Sequence, residues 1–162
     1  MISEFEFFHG AVIARMLHAT QQTMTVAPNS EFDNASYVIN SDIGVYIKYS
    51  SKRMSPWRFS FQKRHYEMIS EMQHKLGEMF IILVCNDDRA VVLGMEEFQQ
   101  VVKIDGEAAQ WISAARSRRQ MYLIKGSDGE LEFKIEKDEF AEKIFGLTAP
   151  IPESVEPRAS LC

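Results

Sequence analysis

Lys48 stands inside an otherwise apolar and aromatic run, Val45-Tyr-Ile-Lys-Tyr49, and is followed by Lys52, Arg53, Arg58, Lys63 and Arg64. No acidic residue lies between Val45 and Arg64. An ammonium on such a strand has to snorkel to water or meet an anion, because an unpaired buried charge is costly. Cations interleaved with Trp57 and Phe59 suit phosphate contacts, with aromatic rings to stack on bases or sugars. A plainer reading uses the same residues: Lys48 as a charge that discourages edge-strand pairing, and the rest as a solvated loop and helix face over buried aromatics.

The elements that must position these groups follow from periodicity. Residues 45–49 form a strand with Val45, Ile47 and Tyr49 on one face and Tyr46, Lys48 and Ser50 on the other. Its antiparallel partner is predicted over residues 36–40, after a short first strand near residues 24–26. A helix capped by Ser60 is expected from Phe61 through Leu76, carrying Gln62 and ending at Gly77. His65 falls on its apolar stripe. An amphipathic helix over residues 4–19 opens with Ser3-Glu-Phe-Glu6, the spacing of a capping box, and Gly10 within it suggests a close backbone neighbour. Met79-Phe-Ile-Ile-Leu-Val-Cys85 reads as a central strand covered on both faces. A strand over residues 90–93, a short helix over 95–102, an ambiguous stretch over 105–119, a hairpin over 121–135 and a short helix over 138–145 complete the chain. The fold class is therefore α/β (α+β): a central mixed sheet flanked by helices, plus a C-terminal hairpin. Residues 1–146 read as one globular domain, and the proline-rich residues 147–162 as a disordered tail.

This order of elements, with Lys48 on the second arm of the hairpin and Gln62 on the next helix, resembles the PD-(D/E)xK nuclease-like core, an αβββαβ arrangement, over roughly residues 3–93. The resemblance implies that Lys48 is the motif lysine and Gln62 the downstream glutamine. Its first acid is Asp33 or Asp42. Pairing Asn40 with Gly44 places Ser36 opposite Lys48 and Asp33 beside it, leaving Asp42 in the turn. Tyr46 occupies the position two residues before the lysine where the family has an acid or glutamine. The catalytic set implied is Asp33, Lys48 and Glu6, with Asp33 and Glu6 holding Mg²⁺ if the site is active. The residue spacing itself favours Glu6 as the acid of the capping box.

The resemblance implies a divergent protein that cuts DNA or RNA with magnesium, or the same fold binding nucleic acid or a protein without catalysis. The binding residues would be Lys52, Arg53, Trp57, Arg58, Gln62, Lys63 and Arg64. A third reading is an unrelated α+β interaction protein that forms a homodimer through the late hairpin. The formal net charge of −5 argues against a general nucleic-acid coat protein but not against a local patch. Arg116-Ser-Arg-Arg119 is a second basic run, read as a polar connection. The four histidines lack the spacing of a metal cluster, Asp87-Asp88 is a turn, and no phosphate-binding glycine loop, nucleophile elbow or dinucleotide fingerprint occurs. Cys85 and Cys162 suggest no disulfide framework. With no apolar run long enough to span a bilayer and no basic leader, a cytoplasmic location without membrane contact is expected.

Overall fold

The computed structural model describes residues 1–29 and 33–147. The tail expected over residues 147–162, apart from Leu147, lies outside the described residues, and Cys162 with it. The elements run α1 (Glu4–Thr20), β1 (Val26–Pro28), β2 (Ser36–Ile39), β3 (Ile43–Ser50), β4 (Trp57–Phe61), α2 (Lys63–Leu76), β5 (Glu78–Cys85), β6 (Ala90–Gly94), α3 (Met95–Val101), β7 (Gln110–Ala115), β8 (Leu123–Gly126) and β9 (Gly129–Glu130). A single π-helical turn, Phe140–Ile144, replaces the short last helix expected from the sequence.

A five-stranded mixed sheet in the order β1-β2-β3-β5-β6 forms the centre. Only β3 and β5 pair in parallel; the other neighbours are antiparallel. The crossover between the parallel pair passes through β4 and α2, as a parallel connection requires. The fold is thus α+β, with an αβββ meander, a helix and a parallel strand in the predicted order.

The alternation read on β3 holds. Val45 and Ile47 join Val12 and Met16 of α1, Ile82 of β5 and Phe140 in one core. Tyr46 joins Ile69 and Met72 of α2, Phe98 of α3 and the second sheet in the other. Each face of the sheet therefore has its own cover, and the Met79–Cys85 run is apolar throughout because β5 contributes to both. Ser3 caps α1, its Oγ accepting the Glu6 N–H at 3.2 Å while Glu6 Oε1 accepts the Ser3 N–H at 2.8 Å. Gly10 differs from expectation: a Cβ built there meets nothing within 4 Å.

The largest departure is a second sheet, four-stranded and antiparallel, in the order β4-β7-β8-β9. Residues 57–61 were expected as a loop and a helix start, yet Trp57, Phe59 and Phe61 are buried while Arg58 and Ser60 are exposed. That period-2 alternation makes β4 a strand. Ser60 is consequently not a helix cap. Gln62 takes that position, and α2 begins at Lys63. The ambiguous stretch supplies β7, with Arg58 opposite Ser113 and Ser60 opposite Trp111. The late hairpin is shorter than predicted, with Gly126 paired to Gly129, and its strands rejoin only at the Tyr122–Ile135 bridge. Its tip is pinned to α3, where the Asp128 N–H donates to the Val101 carbonyl at 3.0 Å.

Candidate anion-binding site

The β2–β3 register decides which groups meet. Ile39 faces Ile43 and Ser36 faces Tyr46, two residues away from the predicted pairing. Asn40 and Ser41, both at positive φ, turn the chain, and the Asp42 N–H closes the turn on the Ile39 carbonyl at 3.3 Å. A slip of two leaves every side chain on its expected face, whereas a slip of one would have reversed them all. Asp33 accordingly stays at the Lys48 end of the pair, and Asp42 is an exposed turn residue.

Asp33 is held by its own turn. Its Oδ1 accepts the Ala35 N–H at 2.9 Å and the Ser36 hydroxyl at 3.4 Å. Lys48, half-buried on β3, places its Nζ 5.3 Å from the centre of the Phe61 ring. Burial lowers the Lys48 ammonium below the usual lysine range; Asp33 opposes that shift and Arg64 adds to it. Arg64, on the first turn of α2, donates from Nε to Gln62 Oε1 at 3.2 Å.

Two histidines also enter this field. His65 lies at the edge of the apolar stripe of α2, three and four residues before the buried Met68 and Ile69, and is itself half-buried. Its Nδ1 accepts the Gln62 N–H at 3.0 Å, which fixes it as a neutral acceptor at the helix start. Burial lowers its basicity, and Lys48 and Arg64 lower it further, against the pull of Asp33. His9 of α1 is buried and hydrogen-bonded through Nδ1 to the Tyr37 hydroxyl at 2.8 Å. Desolvation pushes it down to about 4, with Asp33 opposing. A helical pattern cannot reveal such a histidine, since burial and partner both come from other elements.

Tyr46 is 1% exposed, its ring 6.3 Å from both Phe61 and His65. Burial holds its phenol far above the ordinary tyrosine value, so it stays neutral. Glu6 is exposed and committed to Ser3 at the N-terminus of α1. Among the described residues no group of three or more His, Cys, Asp or Glu side chains is arranged to hold a metal. Among the described residues the donor set at Lys48 comprises one carboxylate, a neutral buried phenol and cations. That set does not fit Mg²⁺, which takes several oxygen ligands in near-octahedral geometry.

The basic residues nominated for binding separate into distinct places. Lys63 lies 2.9 Å from Glu107 and 3.9 Å from Glu67. These are solvent-exposed pairs, which a phosphate can displace. Arg58 lies over the Trp111 ring at 4.5 Å on the outer face of the second sheet. Lys52 Nζ donates to the Pro56 carbonyl at 2.8 Å. Arg53 faces a separate cavity beside Arg116 and Arg118. Trp57 does not offer a stacking face: it is 3% exposed, and its Nε1 donates to the Lys52 carbonyl at 2.8 Å.

Helix α2 thus opens toward Lys48 with no acid in its first turn and no side-chain oxygen capping it. The positive end of the helix dipole, Arg64 and a half-buried ammonium together favour an anion. Comparison with protein-family models, curated proteins and solved structures returned no match.

Proposed function

We propose that the chain binds nucleic acid through phosphate contacts at Lys48, Arg64 and the start of α2, on an αβββαβ core of nuclease-like type that no longer hydrolyses its ligand. The observation that carries this reading is the half-buried Lys48 ammonium beside Arg64, with Asp33, among the described residues, as the only carboxylate shifting either the lysine or His65. The order of elements, with the lysine on β3 and Gln62 leading into α2, supports the nuclease-like core. Tyr46 in place of the motif acid, and Glu6 committed to its capping box, support binding without metal-assisted cleavage.

Fluorescence anisotropy with single- and double-stranded DNA and RNA oligonucleotides, run across a salt series, tests it. Binding should weaken steeply as salt rises, and Lys48→Gln with Arg64→Gln should weaken it on every sequence. Wild-type affinity in that double variant would defeat the proposal.

A further inference from the structure

The two basic runs of the sequence, some sixty residues apart, meet in the fold. Arg53, from the loop after β3, and Arg116 and Arg118, from the segment after β7, line one cavity of about 350 Å³ together with Ser55, Asp87 and Asp88. The cavity lies beyond the carboxyl ends of the parallel strands β3 and β5, where the Asn86 N–H donates to the Ser50 carbonyl at 2.9 Å. Open α/β sheets commonly hold ligands in that position.

The arginines differ in what they have left to offer. Arg116 is spent on structure: its Nε and Nη2 each donate to the Asp88 carboxylate at 2.7 Å, and Nη1 donates to the Gln120 carbonyl at 3.1 Å. The Tyr122 hydroxyl donates a hydrogen bond to the same carboxylate. Asp88 is thereby neutralised, and this pair forms the rigid back of the cavity. The Arg116 backbone N–H donates to Ser55 Oγ at 3.0 Å, tying the two basic segments together.

Arg53 and Arg118 are exposed at the mouth. Among the described residues neither holds a hydrogen bond or an ion pair, so two guanidinium forks face the opening. Among the described residues Asp87 is the one unneutralised acid lining the cavity, which leaves a net positive charge and adds an acceptor for a hydroxyl or amino group. Met54, 73% exposed, supplies an apolar wall beside it.

We infer that this cavity binds a phosphomonoester carried by a nucleotide, with Arg53 and Arg118 gripping the phosphate and Met54 covering the sugar or base. Two guanidinium groups match the dianionic terminal phosphate better than a bridging diester. The ligand has two possible sources, the phosphorylated end of a bound strand or a free mononucleotide. The first rests on the proposed nucleic-acid function; the second does not.

The test titrates the full chain with one oligonucleotide phosphorylated at its 5′ end, at its 3′ end or at neither, and with a nucleoside 5′-monophosphate against its nucleoside. A terminal phosphate should raise affinity about tenfold, the effect of one charge-assisted hydrogen bond. Arg53→Gln with Arg118→Gln should reduce that ratio to one. Both positions are exposed, and a thermal melt verifies the fold. Arg64→Gln should weaken all strands and keep the ratio. If no strand binds but the monophosphate binds through Arg53 and Arg118, the cavity stands as a mononucleotide site and the nucleic-acid function falls. No preference for any phosphorylated ligand in the wild type, or a preference that survives the double variant, overturns the inference.

Discussion

The Lys48 ammonium lies 5.3 Å from the centre of the Phe61 ring, a contact between the charged position of β3 and the last residue of β4. The ring's electron-rich face partly compensates a charge that burial disfavours. It also holds the ammonium where α2 begins, since Phe61 is followed directly by the cap residue Gln62.

Lys48→Met tests how the lysine is balanced. Methionine fills similar volume and removes a partly desolvated charge, so stability should change by less than about 1 kcal/mol. Oligonucleotide affinity should fall, and the slope of log K against log salt should drop by about 0.7–0.9, the loss of one phosphate contact. Urea melts and a salt series measure the two separately. A large stability loss with unchanged affinity would make Lys48 a structural residue.

Asp33→Asn keeps an oxygen for the Ala35 N–H and the Ser36 hydroxyl while removing the negative charge beside Lys48. Binding should tighten a few-fold at low salt and much less at high salt, because the gain is electrostatic. Weaker binding in the variant would mean that Asp33 contacts the ligand itself.

His9 sets an acid limit on stability. Its folded pKa of about 4 lies below the ordinary 6.5, so the unfolded chain binds the proton more readily. Its contribution is complete above about pH 6.5 and is lost as pH falls toward 4, amounting to about 3 kcal/mol at most. His9→Phe should flatten that limb of a urea-denaturation series between pH 6.5 and 4. An unchanged limb would place the acid sensitivity elsewhere.

Asp88 is the acceptor for both Arg116 and Tyr122, and Arg116 lowers its carboxyl below the usual carboxylate value. Asp88→Ala leaves a guanidinium and a phenol without their partner. The expected cost is about 2–3 kcal/mol, below that of a fully buried pair because the carboxylate retains some solvent. Tyr122→Phe should cost about 1 kcal/mol, the net value of one hydrogen bond. Equal denaturation midpoints for Asp88→Ala and wild type would show that the network adds nothing to stability.

The sequence alone determined the elements whose pattern is local. The capping box of α1, the two faces of β3, the apolar strand β5 and the stop of α2 at Gly77 all follow from residue types at short spacing, because backbone hydrogen bonding and side-chain direction repeat every two or 3.6 residues. Asp33 could be placed near Lys48 from hairpin pairing, and a two-residue register error did not disturb it, since side-chain alternation has the same period. What the tertiary structure decided is non-local. Trp57, Phe59 and Phe61 alternate like a strand, yet only the pairing of β4 with β7, across some fifty residues, takes them out of the helix that follows. That second sheet buries Trp57, which removes it from the binding surface, and makes Phe61 the floor under Lys48. Likewise Arg53 and Arg118 share a cavity only because β3, β5 and β7 end on the same side. Long-range strand pairing and the desolvation of His9, His65 and Lys48 depend on neighbours distant in the chain, and no window of sequence contains them.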